Sequence, residues 1–121
     1  MKNILNILNA TVLFMIVFLG VLLSPPLAVE ASGDPAKGKA IYEKNCMVCH
    51  GPQGKGDGPA GKALQPPAAD LTSAASKKKS EAELMQVVEN GRTGTAMSPY
   101  KNQLSQTELN DLLAYVLTLR K

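Results

Sequence analysis

Two cysteines and the only histidine of the chain stand within five residues, Cys46-Met47-Val48-Cys49-His50. On one helical turn the i, i+3 spacing puts both sulfurs on the same side, and the imidazole follows at the next position. Each sulfur can then form a thioether with a vinyl edge of a porphyrin while the imidazole faces its iron. Cys-x-x-Cys-His is the attachment signature of c-type haem. The rival chemistries of a cysteine pair lack support. A thioredoxin-like dithiol follows a strand in a βαβ unit, whereas the residues before Cys46 read as a helix. A zinc site needs two further nitrogen or sulfur ligands, and the chain has one His and no third Cys. A disulfide between residues three apart closes too small a loop to stabilise much.

Binding through Nε2 requires an acceptor for the other ring nitrogen of His50. A backbone carbonyl of the Gly54–Pro59 loop is expected to serve, with Pro59 the first candidate. The opposite face of the iron needs its own ligand, and without a second His a thioether is the natural donor. Met47 lies inside the attachment segment and cannot reach across. Met85 follows Leu84 at helical spacing with Val88, which reads as core. Met97 stands in a loop between small residues Gly94-Thr95-Ala96 and Ser98-Pro99, and is the expected distal ligand. A His/Met pair leaves no open iron position and raises the reduction potential, which suits one-electron transfer rather than catalysis.

The elements that must hold these residues are helical. Asp34-Pro35 is an N-cap followed by Pro at the first helical position, and the helix is predicted to run to about Asn45. Gly38, Ile41 and Tyr42 share one face of it. A glycine inside a helix suggests close approach by another element. Residues 51–79 carry five glycines and four prolines without apolar periodicity. They read as a long loop, with a short helix near Ala60 to Leu64, of the kind that wraps a functional group. Ser80-Glu81-Ala82-Glu83 is a capping box opening a helix that stops at Asn90-Gly91. Ser105-Gln106-Thr107-Glu108 is a second box, stapled by Leu104 and Leu109 and followed by the stripe Leu109, Leu112, Leu113, Val116, Leu117. No strand-like alternation occurs, and the predicted class is all-α with long loops.

The first residues belong to another element. Lys2 precedes the apolar run Ala10 to Leu23, followed by Ser24-Pro25-Pro26 and small residues around Val29-Glu30-Ala31. That order reads as a secretory signal over residues 1–31. Residues 4–23 are long enough for the alternative, an uncleaved membrane anchor. Either way the domain over 32–121 is expected outside the cytoplasm, in the periplasm, soluble or held at the inner membrane. A domain of that size buries little surface by itself. It has no Trp, and both Phe residues, Phe14 and Phe18, fall in the leader. Some other apolar body must fill its centre. With 13 Lys and Arg against 10 Asp and Glu, the formal net charge is +3, which is no nucleic-acid signature.

Across residues 34–119 the sequence resembles the class I c-type cytochromes of the short bacterial monohaem type. The resemblance rests on Cys46-Met47-Val48-Cys49-His50 with the glycine-rich run to Pro59. Pro66-Pro67-Ala68-Ala69-Asp70-Leu71, Val88 through Met97-Ser98-Pro99-Tyr100, and Leu112-Leu113-Ala114-Tyr115 extend it. One departure is Ser98, which separates Met97 from Pro99 where the family commonly has Pro directly after Met. The resemblance implies a small cytochrome c fold of three to four helices wrapped around one covalently bound haem. In it the first and last helices cross, so that Gly38 and Tyr42 would meet Leu112 and Tyr115. It implies an electron carrier between exported or membrane redox proteins, acting as a monomer. Lys55, Lys62, Lys77, Lys78, Lys79 and Lys101 are candidates for steering an acidic partner. Two alternatives remain open at the level of sequence. One is a haem c subunit of a larger oxidoreductase. The other is a small haem peroxidase or gas sensor, which requires Met97 to be off the iron.

Overall fold

In the computed structural model, which describes Asn3 and residues 33–121, the domain begins at the predicted helix start. Apart from Asn3, the leader assigned to 1–31 lies outside the described residues, as does the anchor alternative over 4–23. Asp34 caps α1 (Pro35–Asn45), its carboxylate accepting from the amides of Ala36 at 2.8 Å and Lys37 at 3.4 Å. Cys46 ends this helix and starts the single turn α2 (Met47–His50). The glycine-rich stretch that follows holds one 3-10 turn, Gly61–Ala63, close to the predicted position. A further turn, α3 (Ala74–Lys77), lies where the sequence suggested only loop, started by Ser73 capping the amide of Ser76. It has no apolar period and is held from outside: the Arg120 guanidinium donates to the carbonyls of Ser76 and Lys79, the latter at 2.9 Å.

Both predicted capping boxes form, at the starts of α4 (Glu81–Asn90) and α5 (Gln106–Leu119). Leu109 is buried and Leu104 packs on the core. No strand occurs among the described residues, and none of their helices is long and apolar enough to cross a membrane.

The main helix contact is between α1 and α5. Gly38 makes it close: a Cβ there would overlap the carbonyl of Asp111 and lie 2.9 Å from Cβ of Tyr115. Beside it the rings of Tyr42 and Tyr115 meet at 5.2 Å between centroids, tilted by 59°, a favourable aromatic geometry. The expected crossing is therefore present, with Asp111 rather than Leu112 against the glycine. Asp111 is buried and its Oδ1 accepts from the Asp34 amide at 2.7 Å, fixing the start of α1 to α5.

Among the described residues only six apolar side chains are buried: Tyr42, Leu84, Leu109, Leu112, Leu113 and Val116. For so short a chain this is a thin core.

Two predictions follow from these contacts. Gly38→Ala should lower the free energy of unfolding by about 1–3 kcal/mol, the usual penalty of overpacking; a denaturation midpoint equal to the parent's would contradict the close crossing. The second concerns acid. The carboxylate of Glu83 is held below its ordinary value of 4.5 first by the Ser80 amide, at 2.7 Å, then by the Ser80 hydroxyl. Glu108 is lowered in the same way by Ser105. A depressed carboxylate stabilises the fold above its unfolded value, and that stability is lost as pH falls through the folded value. The double variant Glu83→Gln, Glu108→Gln keeps the capping geometry. It should therefore show a flatter loss of stability below pH about 4.5, measured by denaturation at a series of pH values.

Candidate functional site

The residues of α2 open onto a cavity of about 480 Å³ between the helices, within the usual range of about 300–1,000 Å³ for cofactor sites. Cys46, Cys49 and His50 line it, and so does Met97. Met85 and Met47 are not among the lining residues: Met85 is half-buried on α4, and Met47 packs against the core cluster. Helices α1 and α5 supply Tyr42, Leu112, Leu113 and Val116, and α4 supplies Leu84, Val87 and Val88. Five of the six buried apolar side chains are thus also cavity wall. The walls that close the space between α2 and α4 come from the two loops, through Leu64, Pro67 and Leu71 of one and Met97 and Tyr100 of the other.

His50 is half-buried, and its Nδ1 lies 3.0 Å from the carbonyl oxygen of Ala69. A carbonyl can only accept, so Nδ1 is the donor, an arrangement in which a neutral ring has its lone pair on Nε2. Pro59, the residue expected from the sequence, does not fill this role. The backbone around it is bonded to α2 instead: the amides of Gly58 and Ala60 donate to the carbonyls of Cys49 and Val48, at 3.2 and 3.0 Å. Ala69 comes from the next loop, and three bonds carry it there. Gly56 donates to the His50 carbonyl at 2.8 Å, Ala68 to Gly61 at 3.0 Å, and Leu71 to Gly54 at 2.7 Å. Gly56 lies at φ +72°, and any Cβ on it would strike the Ala68 carbonyl. The sequence held a signal for this approach, the glycine at 56, but nothing that named Ala69 as its object.

Burial, with the second thiol beside it, pushes the Cys46 thiol up to about 11. Disulfide exchange needs a thiolate, so this is a poor setting for a redox dithiol. Among the described residues no cluster of three or more His, Cys, Asp or Glu could hold a metal ion. The site therefore suits a group that brings its own metal and needs two sulfur attachments and an imidazole.

Two tyrosines tie the site to the rest of the domain. Tyr42, buried, donates its hydroxyl to the Gly51 carbonyl at 2.7 Å, just beyond His50. Its phenol is raised above the ordinary range by burial, then by the neighbouring Cys46, and stays a donor. Tyr100 donates to the carbonyl of Asn45 at 3.0 Å, joining the Met97 loop to the attachment segment across 55 positions. Burial raises its hydroxyl too, followed by the two cysteines. The six candidate docking lysines are all exposed, and Lys79 also borders the cavity.

Comparison with known proteins agrees with this architecture. The family model for cytochrome c matches residues 35–120. Cytochrome c-554(547) of Halothiobacillus neapolitanus is 33% identical over 96 residues, covering 74% of this chain and all of that protein. Among solved structures, a reducing HAO-like protein complex of Kuenenia stuttgartiensis is similar at a TM-score of 0.64 and 26% identity. That match covers 81% of this chain and 52% of the other, so this chain spans about half the length of that relative. The c-type cytochrome KustC0563 is similar at a TM-score of 0.60 and 25% identity, over 69% of this chain and 98% of its own.

Proposed function

This chain belongs to the cytochrome c family, whose members carry covalently bound haem c and transfer electrons, and on that premise we propose that it is an exported one-electron carrier. In this reading Cys46 and Cys49 would hold the haem covalently, and His50 and Met97 would ligate its iron. The observation that carries it is the convergence of those four side chains on one apolar cavity. When bound, the haem iron supplies a one-electron couple. The protein does the rest. Nδ1 of His50, donating to Ala69, orients the ring and leaves Nε2 for the metal. The thioether of Met97, as a soft donor, favours the reduced state. The walls of Leu84, Leu112 and Val116 would keep water away from the buried charge change, and with both His50 and Met97 as ligands the iron would have no position left for dioxygen. Residues 1–31 act as the export signal in this proposal and 32–121 as the working domain in the periplasm.

A second reading has an observation behind it. The similar Kuenenia chain belongs to a complex, so this domain can equally work as the haem subunit of a larger oxidoreductase. Isolation from its source in high salt separates the two: a carrier leaves alone, whereas a subunit stays with its partner.

Cys46→Ala combined with Cys49→Ala should abolish haem that survives denaturation, read as the loss of the haem mass. The same double variant should lose cooperative unfolding, because its core walls face an unfilled space. Met97→Ala should turn a low-spin ferric protein into a high-spin one that binds carbon monoxide rapidly when reduced. An unchanged spectrum would assign the distal position to another residue.

A further inference from the structure

Met97 lies outside every helix, on the irregular segment between α4 and α5, yet its backbone is held at both polar atoms. Its carbonyl accepts from the Arg92 amide at 3.1 Å, closing residues 92–97 into a ring. Its amide donates to Oγ1 of Thr95 at 3.2 Å. The same hydroxyl donates to the Arg92 carbonyl at 2.8 Å, and the Thr95 amide reaches that carbonyl at 3.1 Å. Thr95 therefore stands at the centre of the ring, using its hydroxyl once as donor and once as acceptor. Downstream the segment is fastened separately, by the amides of Tyr100 and Lys101 to the carbonyls of Val88 and Glu89 and by the Tyr100 hydroxyl to Asn45. Among the described residues no side chain other than Thr95 bonds the backbone of residues 92–97. Thr95 is half-buried and lines the same cavity as Met97.

We infer that Thr95 is a positioning residue for the distal thioether: its hydroxyl, bridging the Arg92 carbonyl and the Met97 amide, fixes the backbone from which Met97 reaches the iron. This rests on Met97 being the distal ligand. A short ring with one side-chain bridge has few other means of resisting rotation about the backbone of residues 95–97. Without the bridge the Met97 amide loses its acceptor, and the ligand competes against its own loop's freedom. The hydroxyl is what matters, so serine should suffice and valine, equal in shape, should not.

The test compares the haem-loaded parent with Thr95→Val, Thr95→Ala and Thr95→Ser at equal haem content. In the parent, the thioether-to-ferric-iron absorption band establishes Met97 ligation. In Thr95→Val that band should weaken. Carbon monoxide binding to the ferrous form and amide exchange at Met97 should each quicken about tenfold, the effect of losing roughly two weak hydrogen bonds. Thr95→Ala should behave alike, which guards against Val failing to fold, and Thr95→Ser should restore all three readouts. A parent with the band and a Val or Ala variant with the parent's band and carbon monoxide rate would overturn the role of Thr95 alone. So would a Ser variant as impaired as Val, since a loss of packing would then explain both. A parent without the band would overturn Met97 ligation itself.

Discussion

Tyr42, Leu84, Leu112, Leu113 and Val116 are at once most of the buried apolar side chains of the domain and the walls of its cavity. Core formation and cavity filling are therefore one event here. Apolar side chains contribute by leaving water together, and these five can do so fully only around a body that the polypeptide does not supply. A chain without Trp, and with no Phe beyond residue 18, has no side chain large enough to take that place. The covalent haem of the family is that body. Attachment through two sulfurs suits an exported protein, because a centre that could diffuse away would take the core with it.

The rest of the fold serves to close two faces of the same space. The crossing of α1 and α5 is drawn tight by Gly38 and fixed at its end by Asp111, and this brings Tyr42 against Leu112 and Val116. The cavity walls that the helices leave open are closed by irregular backbone. On one side the loop of residues 51–71 folds on itself through backbone bonds and places the Ala69 carbonyl on His50. On the other, residues 91–101 bind the end of α4 and present Met97. The Tyr100 hydroxyl links the two sides through Asn45. Irregular backbone is tolerated there because many of its polar groups are paired, within each loop and with the neighbouring helices.

This construction has a functional consequence. Electron transfer asks for little movement and a fixed dielectric around the centre, and a core shared with the cofactor provides both. What the surface adds is separate. The lysines at 55, 62, 77, 78, 79 and 101 are exposed, and charge of that kind governs encounter with a partner more than the chemistry of the centre.

The sequence alone was enough for the attachment segment, the helix starts and the class of the fold, because each of these is written within a few neighbouring residues. Asp34-Pro35 and the two Ser-x-x-Glu boxes are local hydrogen-bond devices, and Cys-x-x-Cys-His is a single turn of helix. That Met97 rather than Met85 would border the cavity was also legible, from helical spacing around one and small residues around the other. What the sequence left undecided depends on separations of tens of residues. Ala69, not Pro59, meets His50; Asp111 meets Gly38; Arg120 holds α3, a turn with no apolar period to announce it. In each case the partner is a backbone carbonyl or an ordinary polar side chain whose identity carries no signal. Its role comes from where the folded chain brings it, and only the tertiary structure, by closing two loops around one cavity, decides that.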